Sequence, residues 1–331
     1  MNRVWITWET QRRNPELARA FHADYRPFDY SRYGAMSRYF ISATKTLRLL
    51  CGLPRGSTVF AQCPSLGLVF LLSLTRSVKH FNLVIDAHNA AFDYLHSSNW
   101  FVRTLVRYSF ARANVIIISH LAIPIPENLQ KKVVALPDRI PEIGKHVIPK
   151  RLGEVTRPVI TLISSFAADE PIEEFIEAIA KSPEPFTLFV TGSLARAGAL
   201  ARLQSEKIRF TDFLAAEEYE ALIQHSDLLV DLTTREDCLV CGAYEALAVG
   251  VPMVLSDHQV LRETFSQGYL FSANDQSSYQ KVLGEFLGSA AELREQIKAF
   301  RRRFAEDWAK RLVEVELKLG KIEAARYTRS T

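Results

Sequence analysis

Two acids eight residues apart, Asp237 and Glu245, stand in the stretch REDCLVCGAYEALAVGVPMVLSD (235–257). An apolar strand pattern, LLVDLTT, precedes it, and a second, VPMVLS, ends it. The order is strand, loop, helix, tight turn, strand. Asp237 falls in the loop after a strand's carboxyl end, and Cys241, Gly242 and Ala243 fall at the start of the helix. Small residues there let backbone N–H groups approach an anion, and the helix dipole favours negative charge. A diphosphate would fit. Glu245, on the first helical turns, could accept hydrogen bonds from ribose hydroxyls, and Asp237 could meet a sugar hydroxyl. The same residues also suit a plain packing helix, with Ala243, Ala246 and Ala248 turned inward and the acids on its rim.

Three other groups could do chemistry. Glu9, Arg12 and Arg13 share the loop WETQRRNPE. Arginine pairs phosphate oxygens bidentately, and Glu9 could position an acceptor hydroxyl, although a local Glu–Arg pair in a solvated loop is the simpler alternative. IDAHN (85–89) ends a strand with Asp86, His88 and Asn89. Strand ends are where ligands bind in open α/β sheets, but a histidine there can also be packed under a loop. Cys238 and Cys241 form a single CLVC with no second pair and no histidine at ligand spacing, which reads as structural cysteines rather than a zinc site.

Positioning these residues takes an α/β scaffold. VWIT (4–7) is a short strand, and NPELARAF opens a helix with Asn14 as N-cap and Pro15 at the first helical position. Segments 57–63, 81–89, 114–119 and 131–138 read as strands, and 65–78 and 100–112 as helices. LGLVFLLSLT (66–75) is too short to span a bilayer and reads as a buried helix. Residues 138–157 are rich in Pro, Gly and charge and read as a linker. Beyond them, strands at 158–165, 186–192, 207–213 and 227–233 alternate with helices, and the chain is helical from about 274. Alternation of this kind argues for parallel sheets covered by helices on both faces. The expected architecture is α/β: two Rossmann-like domains, 1–150 and 151–305, facing across a cleft, with a helical tail at 306–331. The tail's Phe304, Trp308, Leu312 and Val315 suit packing on the domains, and its basic face suits contact with anionic lipid.

Composition narrows the partners. The chain has 331 residues and a net charge of +4, too mild for a typical nucleic-acid surface and compatible with acidic small molecules or an anionic membrane. Four scattered cysteines fit a reducing, cytoplasmic setting. The N-terminal MNRVWITWETQRR lacks the pattern of a signal peptide.

The stretch EDCLVCGAYEALAVGVPMVLSD resembles the signature of GT-B glycosyltransferases of the family 4 type, the glycosyl transferases group 1. That signature runs acid, seven residues, Glu, small-residue helix, Gly-x-Pro, strand. Asp237 stands at the first acidic position, where Glu is usual, and Glu245 at the second. ARANVIIIS, VTG (190–192), IDAHN and KIRFTDFLAAEEYEALIQHSDLLVDLT resemble further family segments in the same order. The resemblance implies a nucleotide-diphosphate sugar as donor, held mainly by the C-terminal domain, and no resident cofactor or metal. It implies transfer to a sugar or lipid-linked hydroxyl acceptor with retained configuration, in bacterial polysaccharide or glycoconjugate assembly at or near the inner membrane face. Glu245 would hold the ribose, Asp237 the transferred sugar, and His88 would stand at the sugar and acceptor. Ser165, Gly192, Cys241, Gly242 and Ala243 would face the donor, and Glu9, Arg12, Arg13 and Asn89 the acceptor or phosphates. One departure is plain. The family places an Arg and, five residues on, a Lys after the first strand of this domain, and here Ser165 and Glu170 stand instead. Either other groups neutralise the diphosphate, or the chain is an inactive nucleotide-sugar-binding scaffold. A nucleotide-sugar epimerase is a third expectation.

Overall fold

The computed structural model describes residues 2–11 and 13–327. It divides into two units, Met1–Arg139 with Asp307–Thr331, and Ile140–Glu306.

In the first unit six parallel strands lie in the order β2-β1-β3-β4-β5-β6. They are β1 (Arg3–Thr7), β2 (Asp24–Pro27), β3 (Thr58–Cys63), β4 (Asn82–Ala87), β5 (Val115–Ile118) and β6 (Val133–Ala135). Helices α1 (Arg13–Ala20), α2 (Ala35–Gly52), α3 (Leu66–Lys79), α4 (Asn89–Asp93) and α5 (Trp100–Arg112) connect them. Every residue of β3 and β4 is buried, as expected of central strands covered on both faces. On one face Trp5 stacks on Phe60 at 5.0 Å between ring centroids.

The structure corrects several expectations here. Asn14 is not the cap of α1. The helix already includes Arg13, and the Asn14 side chain is buried, accepting from Trp5 Nε1 at 3.0 Å and donating to Gln62 at 2.6 Å. Nor is α3 a buried helix: Leu68, Val69 and Leu72 face the core, while Leu74 and Val78 face solvent. Strand β2 and helix α2 were not legible. The inward side of α2 is Ser42, Thr46 and Leu50, so it shows no apolar period. Ser42 donates to the Phe28 carbonyl and Thr46 accepts from Trp8 Nε1, which satisfies the buried hydroxyls.

The second unit repeats the plan with strand order β12-β11-β10-β7-β8-β9, again all parallel. Its strands are β7 (Val159–Leu162), β8 (Thr187–Val190), β9 (Ile208–Phe210), β10 (Leu228–Asp231), β11 (Met253–Ser256) and β12 (Tyr269–Ser272). Its helices are α6 (Ile172–Lys181), α7 (Leu194–Ala197), α8 (Ala216–His225), α9 (Cys241–Val249), α10 (Gln259–Thr264) and α11 (Gln276–Tyr327), the last interrupted at Ser289.

The unit boundary falls at 139/140 rather than 150/151. The segment expected to be a linker is held by the second unit from Ile140 onward: His146 Nε2 lies 3.0 Å from a Glu220 oxygen, and Arg209 donates to the Leu152 carbonyl at 2.9 Å. The end of α11 belongs to the first unit. There Arg3 pairs with both Glu316 and Glu323, Thr58 donates to Glu323, and Trp308 donates to the Pro137 carbonyl.

Candidate active site

In the second unit, Asp231 ends β10 and accepts the N–H of Gly242, on the first turn of α9, at 2.9 Å. A methyl group on Gly242 would meet that carboxylate at 2.5 Å and Ile163 Cδ1 at 2.8 Å. Gly242 therefore lets the helix sit close on the strand ends, and its N–H is already spent. Ala243 is fully buried, and its carbonyl accepts the Tyr269 hydroxyl at 2.6 Å. Cys241 is exposed at the helix start. Glu245 lies on the second turn of α9, 8% exposed, and accepts the hydroxyl of Tyr219 from α8. Asp237 is half-buried in the loop leaving β10.

Asp231 lies within the candidate site and was missed in the sequence, where its signal is a lone acid closing the apolar run LLVD. It is half-buried at the end of its strand, and the surrounding protein pushes its carboxyl well above the usual range. The Gly242 N–H opposes that shift, while Glu245, Glu170 and Asp169 add to it.

After β7 the chain makes a tight carboxylate nest. Glu170 accepts the Ser165 N–H at 3.0 Å and the hydroxyls of Ser164 and Ser165 at 2.7 Å each. The Ser165 groups expected to face a donor are thus turned onto Glu170. Gly192, just past β8, has φ +103°, and a Cβ there would lie 2.5 Å from the Ser164 carbonyl oxygen. Beside this nest is a hollow of about 410 Å³ lined by Phe166, Glu170, Glu173, Glu174, Arg196 and Thr234, among others. Arg196 is the one cation in that lining. Among the described residues no three His, Cys, Asp or Glu side chains gather as a metal site.

In the first unit Arg13 is not a free phosphate ligand. It is 8% exposed, donates to Asp86 at 2.9–3.0 Å and to the Leu136 carbonyl at 2.9 Å, and pairs with Asp138. Burial alone would raise the Asp86 carboxyl, but Arg13 and His88 hold it far below the usual range. Burial would lower Arg13, and its two carboxylates raise it instead. His88 lies past the end of β4, its Nε2 3.4 Å from Asp86. Glu9 is half-buried in the bend after β1. In the same loop Thr10 donates to Asp29 from both its N–H and its hydroxyl. Arg12 and the side chain of Asn89 lie outside the described residues.

Residues 145–304 match the family model for glycosyl transferases group 1. The chain carries a group 1 glycosyltransferase domain. Ser165, Gly192, Asp237 and Cys241 to Glu245 all fall inside this glycosyltransferase domain. No curated protein matches the chain. Among solved structures, sucrose-phosphate synthase from Thermosynechococcus elongatus gives a TM-score of 0.70 at 14% identity, over 98% of this chain and 100% of that one. HepE from Anabaena, crystallised with UDP and glucose, gives 0.68 at 13% identity, over 96% and 91%. The UDP-forming α,α-trehalose-phosphate synthase from Burkholderia xenovorans gives 0.68 at 13%, over 97% and 99%. These likenesses extend the GT-B fold over nearly the whole chain, beyond the matched glycosyltransferase domain.

Proposed function

We propose that the chain transfers a sugar from a nucleotide-diphosphate sugar to a hydroxyl acceptor without a metal and with retained configuration. UDP is the favoured nucleotide, since it stands in the names of two structures that share the fold. The observation that carries the reading is Glu245, presented by α9 and fixed by the Tyr219 hydroxyl, eight residues after Asp237 at the carboxyl end of the sheet. A carboxylate held in one orientation can accept both hydroxyls of a ribose, and Asp237 then binds the sugar beyond the phosphates. Arg196 supplies positive charge beside the Glu170 nest. In the retaining reaction the C–O bond to the leaving phosphate breaks as the acceptor oxygen bonds the same face, and that phosphate takes the acceptor's proton. The protein contributes position and charge stabilisation. The acceptor belongs to polysaccharide or glycoconjugate assembly and is sugar or lipid-linked.

Turnover assays with UDP-, GDP- and ADP-sugars test this. Glu245→Ala and Asp237→Ala should each lower kcat/KM by at least about 100-fold with an unchanged circular dichroism spectrum; full activity in both removes the assignment. One observation favours a second reading, an inactive nucleotide-sugar-binding scaffold: Glu170 fills the Ser165 amide with the chain's own carboxylate. Calorimetric binding of a nucleotide sugar with no product formed would select it.

A further inference from the structure

The outward face of α2, α3 and α5 is unused by the site above. From Tyr30 to Pro126 the sequence holds ten lysines and arginines against two acids, Asp86 and Asp93, a net charge of +8 in a chain whose total is +4. Asp86 is buried against Arg13, so Asp93 is the one acid of this stretch at the surface. Helices α2 and α5 both pack on α3 and form one layer with it. Its outer side exposes large apolar side chains. Met36 (89% exposed) and Phe40 (74%) lie one turn apart on α2, Leu74 and Val78 one turn apart on α3, and Trp100 (68%) and Phe101 open α5. Phe70 of α3 meets Tyr108 of α5 edge-on, ring centroids 6.0 Å apart, which ties the two stripes together. Where α3 and α5 end, a hollow of about 330 Å³ is lined by Arg76, Ser77, His80 and Arg112, with no acid among them.

Apolar side chains this exposed mark a contact surface, and cations around them mark an anionic one. We propose that the α2–α3–α5 face docks on a bilayer bearing anionic lipids. Met36, Phe40 and Trp100 enter the head-group layer, and the surrounding lysines and arginines pair lipid phosphates. A nucleic acid would match the charge and could stack on Trp100, but it offers nothing to the aliphatic Met36, Leu74 and Val78. The C-terminal stretch of α11, the other basic segment, spends Trp308, Val315 and Leu319 on packing, so its inner apolar face is not available to lipid. The inference is independent of the transfer reaction.

The test is co-sedimentation of the full chain with phosphatidylcholine vesicles, with and without phosphatidylglycerol, in the absence of any nucleotide sugar. Expected is binding only to the phosphatidylglycerol vesicles, weakening as salt is raised. The double variants Met36→Asp with Phe40→Asp, and Arg48→Glu with Arg107→Glu, should each weaken it about tenfold or more. Their melting curves should match the parent, because all four side chains are exposed. No binding to anionic vesicles overturns the proposal. So does undiminished binding by either folded variant, or a homopolymer RNA that displaces the protein from the vesicles.

Discussion

Arg13 donates three hydrogen bonds to Asp86 in the interior of the first unit. Removing one partner of a buried pair leaves an uncompensated charge, so Arg13→Ala should cost about 3–5 kcal/mol in a denaturant melt. The pair also sets a pH dependence. Because the folded state holds the Asp86 carboxyl below its ordinary value, its contribution is fully present above about pH 4 and is lost as the pH falls further. Acid titration of the melting temperature should show wild-type stability falling in that range and a flatter response in Arg13→Ala. The sequence placed Arg13 in the loop after the first strand and Asp86 at a strand end but could not show that they meet. The two are 73 residues apart, and only the parallel pairing of the strands through β3 brings them together. Glu245 stands out as a candidate because its neighbours carry a recognisable spacing. Tyr219 does not, since one tyrosine in AAEEYEALIQHS has no pattern that points at a carboxylate on the following helix.

Elements were legible where burial imposes a period. The ten-residue helix α6 buries Ile172, Phe175, Ile176 and Ile179, spacings that fit one helical face, and the central strands are continuous apolar runs. Strand β2, with sequence DYRP, is a mostly exposed edge and carries no such signal. At Gly192 the turn after β8 needs a positive φ, and the adjacent loop's Ser164 carbonyl leaves no room for a side chain. Gly192→Ala should therefore destabilise the second unit by about 1–3 kcal/mol in thermal melts. An unchanged melting temperature would show that the two loops can part at little cost.

At the scale of the molecule, the first unit is made from both ends of the chain. Glu323 receives Arg3 and Thr58, and Trp308 fastens the Pro137 carbonyl. A fragment ending at residue 139 should thus be poorly protected in hydrogen exchange, and mixing it with a peptide spanning 307–327 should restore protection in β1 and β3. Equal protection without the peptide would mean that the sheet needs no help from α11. The same arrangement governs birth order. A ribosome releases the six strands of the first unit early, yet their closing helix emerges only after all of the second unit has been made, roughly ten seconds or more later at ordinary elongation rates. During that interval the second unit, whose strands and helices are contiguous in the chain, can finish folding first, so the half encoded first is the half completed last.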